Sequence, residues 1–151
     1  MKLGIISDTH ARAIDEIPSA IKKALACVDF IIHAGDFTNQ ALLDGLGSIG
    51  KVRAVCGNMD SIELKRSLPE RDIFEFSGKK IGIIHDSGAP WGISERIRKQ
   101  FSGVDIIVFG HSHKPYSGYV QVVFIVNPGH GKSSFALVTI DDTIKAEILS
   151  F

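Results

Sequence analysis

The sequence has few cysteines, no excess of charge of either sign and no long apolar run. Its two cysteines, Cys27 and Cys56, show neither a CxxC spacing nor a secretory context. This favours two reduced thiols in a cytosolic protein over a disulfide framework. Lys and Arg together number 17, and so do Asp and Glu, which gives a formal net charge of zero. No overall basic field exists to attract nucleic acid or an anionic membrane surface, so strong binding to either is not expected.

The apolar segments are too short to cross a membrane. None approaches the ~18–20 residues that a membrane span requires, and the apolar start of the chain, which ends at Ile6, is too short for a signal peptide. We therefore expect a cytoplasmic protein. The apolar fraction of 44% and the charged fraction of 23% are ordinary for a globular protein and exclude a disordered one. The length of 151 residues predicts one domain over residues 1–151.

Short apolar runs predict a buried sheet. They are rich in Ile and Val and continuous rather than alternating, which predicts strands covered on both faces by helices or by a second sheet. The runs are Leu3–Ile6, Phe30–Ile32, Val52–Val55, Ile81–Ile84 and Ile106–Phe109.

Segments with helical spacing separate these runs. In Ala11–Val28 the apolar residues recur at helical spacing, and Pro18 predicts where the regular helix begins. Shorter candidate helices are Asn39–Leu46, Ser61–Leu68 and Trp91–Phe101. The alternation of strands and helices predicts an α/β fold.

The last third of the sequence changes in style. Three apolar segments, Val120–Val126, Ser133–Ile140 and Ile144–Leu149, are predicted to form consecutive strands of a β-meander. Residues 141–143 are predicted to form the hairpin turn between the last two strands.

Residues with metal-ligating side chains follow the five early strands. They are Asp8 and His10, then Asp36, then Asn58 and Asp60, then His85, then His111 and His113. In open α/β sheets the ligand crevice lies at the carboxyl ends of the strands, so these clusters should converge. Carboxylate, imidazole and amide groups together suit ions such as Mn, Fe, Co, Ni or Zn. The set exceeds what one tetrahedral ion needs and would fill two adjacent sites that share a carboxylate.

Each cluster taken alone has a structural alternative. Asp36 could be a helix N-cap, Asn58 a turn residue and His85 a buried histidine with satisfied hydrogen bonds. The spacing of Asp8 and His10 predicts side chains that point the same way from an extended chain, and the same holds for the two imidazoles of the last cluster. The joint placement at five strand ends favours metal binding.

In this order the motifs resemble those of the calcineurin-like metallophosphoesterases. That family's pattern is D-x-H, G-D, G-N-x-[DEH], a lone His and G-H-x-H. Here the motifs are Asp8-Thr9-His10, Gly35-Asp36, Gly57-Asn58-Met59-Asp60, His85 and Gly110-His111-Ser112-His113. The resemblance is closest to small single-domain phosphodiesterases of bacteria and archaea, which share an N-P-G loop like residues 127–129. It implies a four-layer αββα sandwich, in which two mixed β-sheets are flanked by helices.

The resemblance also implies a division of the ligands between two divalent metal ions, of Mn, Ni, Fe, Co or Zn. One ion would be held by Asp8, His10, Asp36 and His113. The other would be held by Asp36, Asn58, His85 and His111. A hydroxide that bridges the ions would attack phosphorus in line.

The implied function is hydrolysis of a small phosphodiester or a nucleotide. Two alternatives are phosphomonoesterase activity at the same site and a non-catalytic, protein-binding scaffold, the role of a relative in the retromer complex. The substrate, the physiological metal and whether the chain forms a homo-oligomer are left open.

Four residues depart from the family's pattern or extend it. Asp60 stands where some members carry a His that protonates the leaving group, and it could act as that acid or orient a ligating His. Asp86 could orient the adjacent ligand or face solvent. His130 could contact the substrate phosphate, protonate a leaving group or be an exposed loop residue, and His33 could support the nearby G-D motif or be a buried, satisfied histidine. Together with His111, Asp60 and His130 are the candidates for direct roles in catalysis.

Overall fold

The computed structural model describes residues 1–86, 88–89 and 91–151. The strands of the described part are β1 (Lys2–Ile6), β2 (Phe30–His33), β3 (Val52–Ala54), β4 (Arg71–Phe76), β5 (Lys79–Ile84), β6 (Ile106–Phe109), β7 (Tyr116–Val120), β8 (Val123–Asn127), β9 (Ser134–Ile140) and β10 (Ile144–Ser150). The α-helices are α1 (Ser19–Leu25), α2 (Gln40–Ile49), α3 (Ile62–Ser67) and α4 (Ile93–Arg98), and a short 3-10 turn covers Ile14–Glu16.

The strands form two mixed sheets. In the first sheet the order is β10-β9-β1-β2-β3, with β1, β2 and β3 parallel to one another and β9 antiparallel to β1 and β10. In the second sheet the order is β4-β5-β6-β8-β7, with β5, β6 and β8 parallel and both outer strands antiparallel to their neighbours. Parallel neighbours direct their carboxyl ends to the same edge of each sheet.

The apolar runs are continuous because both faces of the central strands are buried. In β1, Leu3 and Ile5 pack between the two sheets, whereas Ile6 packs on the outer face of the first sheet with side chains of α1, α2 and α3. Helix α4 covers the outer face of the second sheet, where Ile97 packs with Ile107. The order helices, sheet, sheet, helix confirms the predicted four-layer αββα sandwich.

Helix ends follow from local side chains. The side chain of Asn39 accepts a hydrogen bond from Leu42 N (3.4 Å) at the start of α2, and Ser61 Oγ accepts one from Leu64 N (3.3 Å) at the start of α3. These contacts satisfy N–H groups that have no partner inside the helix. Asp36 is therefore not the N-cap that its position after Gly35 allowed, because α2 begins four residues later with Asn39 as its cap.

The C-terminal prediction is wrong in two respects. The predicted strand Val120–Val126 is interrupted by a tight turn, in which Gln121 has a positive φ of 56°, so β7 ends at Val120 and β8 begins at Val123. The next three segments do not form a meander, because β8 lies in the second sheet whereas β9 and β10 lie in the first. The turn at residues 141–143 is confirmed, since Asp141 N donates to Thr143 O (3.1 Å).

Cys27 and Cys56 are both free thiols, as predicted. Within the described ranges, no helix has the length and apolar character needed to traverse a membrane.

Candidate metal centre

The seven candidate ligands lie in loops at the carboxyl ends of five strands. Loops after β1, β2 and β3 of the first sheet carry Asp8, His10, Asp36 and Asn58. Loops after β5 and β6 of the second sheet carry His85, His111 and His113. Both sheets thus contribute to one site, as the strand-end argument predicts.

Asp8 is fully buried and uses its two oxygens differently. Oδ2 accepts hydrogen bonds from Ser7 Oγ (2.7 Å) and from His111 N (3.1 Å). Oδ1 is buried and, among the described residues, has no hydrogen-bond partner. It lies 3.3 Å from His113 Nε2 and 3.7 Å from His85 Nε2. A buried carboxylate oxygen without a donor is costly unless a cation meets it.

His85 has an orientation that suits a metal ligand. Its Nδ1 is 2.7 Å from Ala34 O, and only a ring N–H can donate to that carbonyl. In the neutral ring Nε2 then carries the lone pair, and this atom is buried without a hydrogen-bond partner among the described residues. A ligating histidine usually has its other nitrogen held in this way. Burial opposes protonation, but the carboxylates of Asp36 and Asp8 and the bond to Ala34 raise the pKa of His85 overall.

Asp36 lies close to both His85 and His10. Its Oδ1 accepts a hydrogen bond from Met59 N (2.8 Å), while Oδ2 is 3.2 Å from His85 Nε2 and 3.9 Å from His10 Nε2. Burial opposes ionisation, but His85, Met59 N and His10 together lower the pKa of Asp36. The carboxylate is thus ionised and lies where it can bind a cation beside His85 and another beside His10.

The side chains form two overlapping groups of donor atoms. One comprises Asp8, His10 and His113 and the other Asp8, Asp36 and His85, with the donor atoms of each group within 4.8 Å of one another. The buried atoms Asp8 Oδ1, His10 Nε2 and His85 Nε2 have no hydrogen-bond partner in the described part of the chain. This mixed carboxylate and imidazole set fits borderline divalent ions.

Two predicted ligands lie at the margin of these groups. The His111 ring is 5.3 Å from the His85 ring, centre to centre, in an edge-on arrangement. Asn58 is exposed, and its backbone carbonyl accepts a hydrogen bond from Lys65 Nζ (3.0 Å). Asn58 and His85 line the same cavity.

The ligand loops hold unusual backbone conformations. Positive φ values occur at five candidate ligands: Asp8 (54°), His10 (44°), Asp36 (61°), His111 (67°) and His113 (58°). The expectation that the side chains of Asp8 and His10 leave an extended chain is therefore wrong, and so is the same expectation for His111 and His113. The two residues of the first pair lie in the loop after β1. Their loop is instead coiled against the β2 loop, where Asp8 N donates to Gly35 O (3.0 Å) and His10 N to Asp36 O (3.1 Å). Left-handed conformations of residues other than Gly are costly and cluster at functional sites.

Two glycines allow the loops to approach one another. A Cβ at Gly57 would overlap the carboxylate of Asp36, and a Cβ at Gly110 would overlap Ser7 Oγ and crowd Asp8 Oδ2. The absence of a side chain at these positions is thus a condition for placing both carboxylates.

The carboxylate of Asp60 is held by three backbone amides. Its Oδ2 accepts hydrogen bonds from Gly57 N (2.7 Å) and Asp36 N (3.0 Å), and its Oδ1 accepts one from Thr38 N (2.9 Å). Both oxygens of this buried side chain are thus held by backbone amides, and these contacts lend no support to its predicted roles as an acid or as a partner of a ligating imidazole. Asp60 ties the loop after β3 to the loop after β2.

Asp86 pairs with a cation. Arg96 Nη2 lies 2.7 Å from Asp86 Oδ2, and the same guanidinium donates to Ala89 O (2.8 Å) and Trp91 O (3.3 Å). Neither expected role, orienting His85 or facing solvent freely, describes this residue. The ion pair holds the loop after β5 to α4.

His33 fits both of its alternatives, because it is buried with both ring nitrogens hydrogen-bonded and one of these bonds comes from Gly35 of the G-D motif. Its Nδ1 accepts a hydrogen bond from Gly35 N (3.1 Å), so Nε2 carries the proton that it shares with Thr9 Oγ1 (3.0 Å). Its ring stacks on Phe37 with 3.5 Å between ring centres. Burial and the nearby His85 lower the pKa of His33 well below its usual value.

His130 adds a further imidazole to the rim of the centre. Its ring centre lies 5.2 Å from that of His113 and 6.0 Å from that of His10. Its Nδ1 accepts a hydrogen bond from Lys132 N (3.3 Å). Burial, His113 and His10 lower the pKa of His130.

Two positioning residues, Ser7 and Asn127, were not predicted from the sequence. Ser7 donates to Asp8 Oδ2, and a polar residue at the buried end of an apolar strand is the signal that could have revealed it. Asn127 Nδ2 donates to Gly110 O (3.1 Å) and Ser112 Oγ (3.0 Å), and its Oδ1 accepts from Gly129 N (2.9 Å). The N-P-G loop therefore orients the loop that carries His111 and His113.

Known proteins with similar sequences and structures show the family and the fold of this chain. The sequence profile of the calcineurin-like phosphoesterase superfamily domain matches residues 1–143. A probable metallophosphoesterase of Methanocaldococcus jannaschii is 36% identical over 160 aligned residues, covering 99% of this chain and 81% of that protein. A phosphodiesterase of the same organism is 30% identical over 147 residues, covering 85% of this chain and 83% of that protein. The crystal structure of wild-type Vps29 from Entamoeba histolytica complexed with zinc superposes with a TM-score of 0.77 at 23% identity, covering 99% of each chain, which shows a common fold. The chain belongs to the calcineurin-like phosphoesterase superfamily and is a metal-binding hydrolase of that family.

Proposed function

We propose that this chain is a two-metal phosphodiesterase that hydrolyses a small phosphodiester or a nucleotide. The observation that carries the proposal is the convergence of buried, unpartnered donor atoms on Asp8, His10 and His85 around the carboxylate of Asp36. A structural polar cluster would satisfy these atoms within the protein. Here these donor atoms lack a partner among the described residues, and a bound cation would supply one.

The proposed ligand sets share Asp36. The first ion is held by Asp8, His10, Asp36 and His113. The second ion is held by Asp36, Asn58, His85 and His111. Mn, Ni, Fe, Co and Zn all suit these nitrogen and oxygen donors. When bound, two such ions stabilise charge on a phosphoryl group and supply a water-derived nucleophile near neutral pH.

The protein's own residues prepare the site for this chemistry. The bond from Ser7 Oγ holds Asp8 in one rotamer, and the Ala34 carbonyl fixes which nitrogen of His85 is available. The carboxylate of Asp60 accepts hydrogen bonds from the backbone amides of Asp36, Thr38 and Gly57 and so fixes the loop after β2 against the loop after β3. Such preorganisation reduces the cost of reordering the ligands during the reaction.

His130 is proposed as a substrate contact. Because Nδ1 accepts from Lys132 N, the neutral ring carries its proton on Nε2 and acts there as a hydrogen-bond donor. The ring lies beside those of His10 and His113, so a phosphoryl oxygen bound at the centre is the natural acceptor.

The test is hydrolysis of bis(4-nitrophenyl) phosphate by protein stripped of metal and reloaded with Mn, Ni, Co, Zn or Mg. We expect turnover that requires metal and that Asp36→Asn lowers by at least about a hundredfold, since the variant removes the shared carboxylate. Asp142→Asn is the matched control, because Asp142 is exposed in the turn before β10 and distant in sequence from every ligand. Equal activity of the Asp36→Asn variant and the wild type would contradict the proposal.

The same assay separates the alternatives. Faster hydrolysis of 4-nitrophenyl phosphate than of the diester would make the chain a phosphomonoesterase at the same centre. The likeness in fold to Vps29 supports the scaffold alternative. Binding of two ions per chain without turnover of either ester would favour that scaffold.

A further inference from the structure

A large cavity opens beside the proposed second metal position. Its volume is about 750 Å³. Its lining includes Asn58 after β3, Lys65 of α3, Glu70 and Arg71 at the start of β4, and His85 and Asp86 after β5. Because His85 and Asn58 are proposed ligands, a phosphoryl group at the centre would lie at one end of this cavity.

The cavity is larger than the reacting phosphoryl group requires. Small-molecule sites in proteins have volumes of ~300–1,000 Å³, which accommodates a whole nucleotide. The space beyond His85 extends toward α3 and β4, where Lys65 and Arg71 line it. A substrate that fills the cavity therefore reaches these two cations.

Lys65 and Arg71 are held in place by carbonyl groups and keep other donors available. Lys65 Nζ donates to Asn58 O (3.0 Å), and Arg71 Nη1 donates to Gln100 O (2.8 Å). The Arg71 guanidinium also lies 6.0 Å from the centre of the Phe101 ring. An ammonium has three N–H donors and a guanidinium five, so each group retains donors for a ligand. Neither forms an ion pair with any carboxylate of the described residues.

The charge of the lining favours an anion at this end. Of the two carboxylates in the lining, Asp86 is already paired with Arg96 at 2.7 Å. Glu70 is then the remaining negative charge against Lys65 and Arg71. Arginine in particular binds phosphate in a bidentate manner.

We infer that this cavity binds a nucleotide-sized phosphodiester that carries a second anionic group, held by Lys65 and Arg71. The inference rests on the proposed function, because it places the scissile phosphoryl group at the metal centre. It adds a substrate class: diesters that carry a further phosphate are preferred over otherwise identical diesters without one.

Two matched substrates test this preference. Thymidine 5′-(4-nitrophenyl phosphate) and its 3′-phosphorylated form release the same 4-nitrophenolate and differ by one phosphate. With the metal-loaded protein we expect kcat/KM about tenfold higher for the 3′-phosphorylated substrate, mainly through a lower KM. Arg71→Gln should bring the ratio of the two kcat/KM values close to one, whereas Arg71→Lys, which keeps the charge, should retain part of it. Lys65→Gln should also lower the ratio.

Lys145→Gln is the control variant. It removes a cation from an exposed position on β10, which lies in the other sheet, and should leave both activity and ratio at wild-type values. An equal kcat/KM for the two substrates in the wild type, or a ratio that survives Arg71→Gln and Lys65→Gln, would overturn the inference.

A binding measurement separates this inference from the proposed function. Calorimetry compares thymidine 3′,5′-bisphosphate with thymidine 5′-monophosphate, neither of which is a diester. Tighter binding of the bisphosphate that depends on Arg71 would support the cavity assignment even if bis(4-nitrophenyl) phosphate were not hydrolysed. Equal binding of the two would count against it even in an active phosphodiesterase.

Discussion

His33 supports the loop that carries Asp36 through its bond with Gly35 N and is not itself among the candidate ligands. The ring is fully buried and hydrogen-bonded through both nitrogens, and it stacks on Phe37. It supports the loops around Thr9 and Gly35 as an uncharged group. Protonation would place a charge in the core, and burial and His85 oppose it more strongly than Asp36 favours it.

The lowered pKa of His33 predicts a pH dependence of stability. The unfolded chain binds the proton near pH 6.5, whereas burial keeps the folded ring neutral to lower pH. The stabilising contribution is therefore complete above about pH 6.5 and is lost as the pH falls toward the folded pKa. Urea unfolding of metal-free wild type and His33→Gln should show a free-energy difference that is smaller at pH 5.5 than at pH 7.5 by about 1 kcal/mol. The same difference at both pH values would contradict this.

His130 offers a second test at the scale of one residue. If Nε2–H binds a phosphoryl oxygen, His130→Ala should lower kcat/KM for bis(4-nitrophenyl) phosphate by about tenfold, the value of one hydrogen bond to a charged group. His130→Gln, which keeps an N–H donor, should retain most of the activity. Metal content, measured by elemental analysis, should remain at the wild-type value in both variants. A loss of bound metal would instead identify His130 as a ligand.

At the scale of loops and strands, Asp60 joins the elements that carry Asp36 and Asn58. In Asp60→Asn one oxygen becomes an NH2 group, which cannot accept from a backbone amide and is turned toward one. We expect a loss of about 2 kcal/mol in the free energy of unfolding of the metal-free protein, together with weaker metal binding. Urea unfolding and a metal titration provide the two measurements, with Asp142→Asn as control. Unchanged metal affinity would show that Asp60 stabilises the fold but does not contribute to metal binding.

The strands that could be predicted are those buried on both faces. Ile81–Ile84 and Ile106–Phe109 are continuous apolar runs because a sheet lies on one side and helices on the other. Strand β4, Arg71–Phe76, was missed because it is an edge strand with charged residues among its apolar ones. The turn at Gln121 was missed because a non-glycine residue there adopts a positive φ without a Gly or Asn signal nearby.

The candidate site shows the same division. The proximity of Asp8 and Asp36 follows from the parallel pairing of β1 and β2, so residue type and strand position were sufficient to predict it. His85 joins them from the other sheet, and its approach depends on how the two sheets pack. The roles of Asp60 and Asp86 were not predictable, because each depends on a partner distant in sequence or on backbone amides whose direction only the loop conformation determines. The left-handed backbone conformation of the candidate ligands could not be predicted from their residue types.

At the scale of the whole molecule, the proposed ions join the two sheets. The first sheet supplies Asp8 and Asp36, and the second supplies His85 and His113. Metal ions that bind only the folded state stabilise it by mass action, by about 2.7 kcal/mol at a free metal concentration of one hundred times Kd. For a chain of this size we expect metal to raise Tm by about 5–10 °C. Calorimetric scans with and without metal measure this shift, and Asp36→Asn should abolish most of it.

The two sheets are also built from different stretches of the chain. Strands β4 to β8 form one contiguous block, whereas the first sheet combines β1, β2 and β3 from the beginning of the chain with β9 and β10 from its end. During synthesis on a ribosome, β1 leaves the exit tunnel long before β9, its partner on one side. At ~5–20 residues per second this interval is on the order of ten seconds. For that time the nascent chain exposes an unpaired, apolar strand edge. Such an edge can pair with another chain unless a chaperone binds it first.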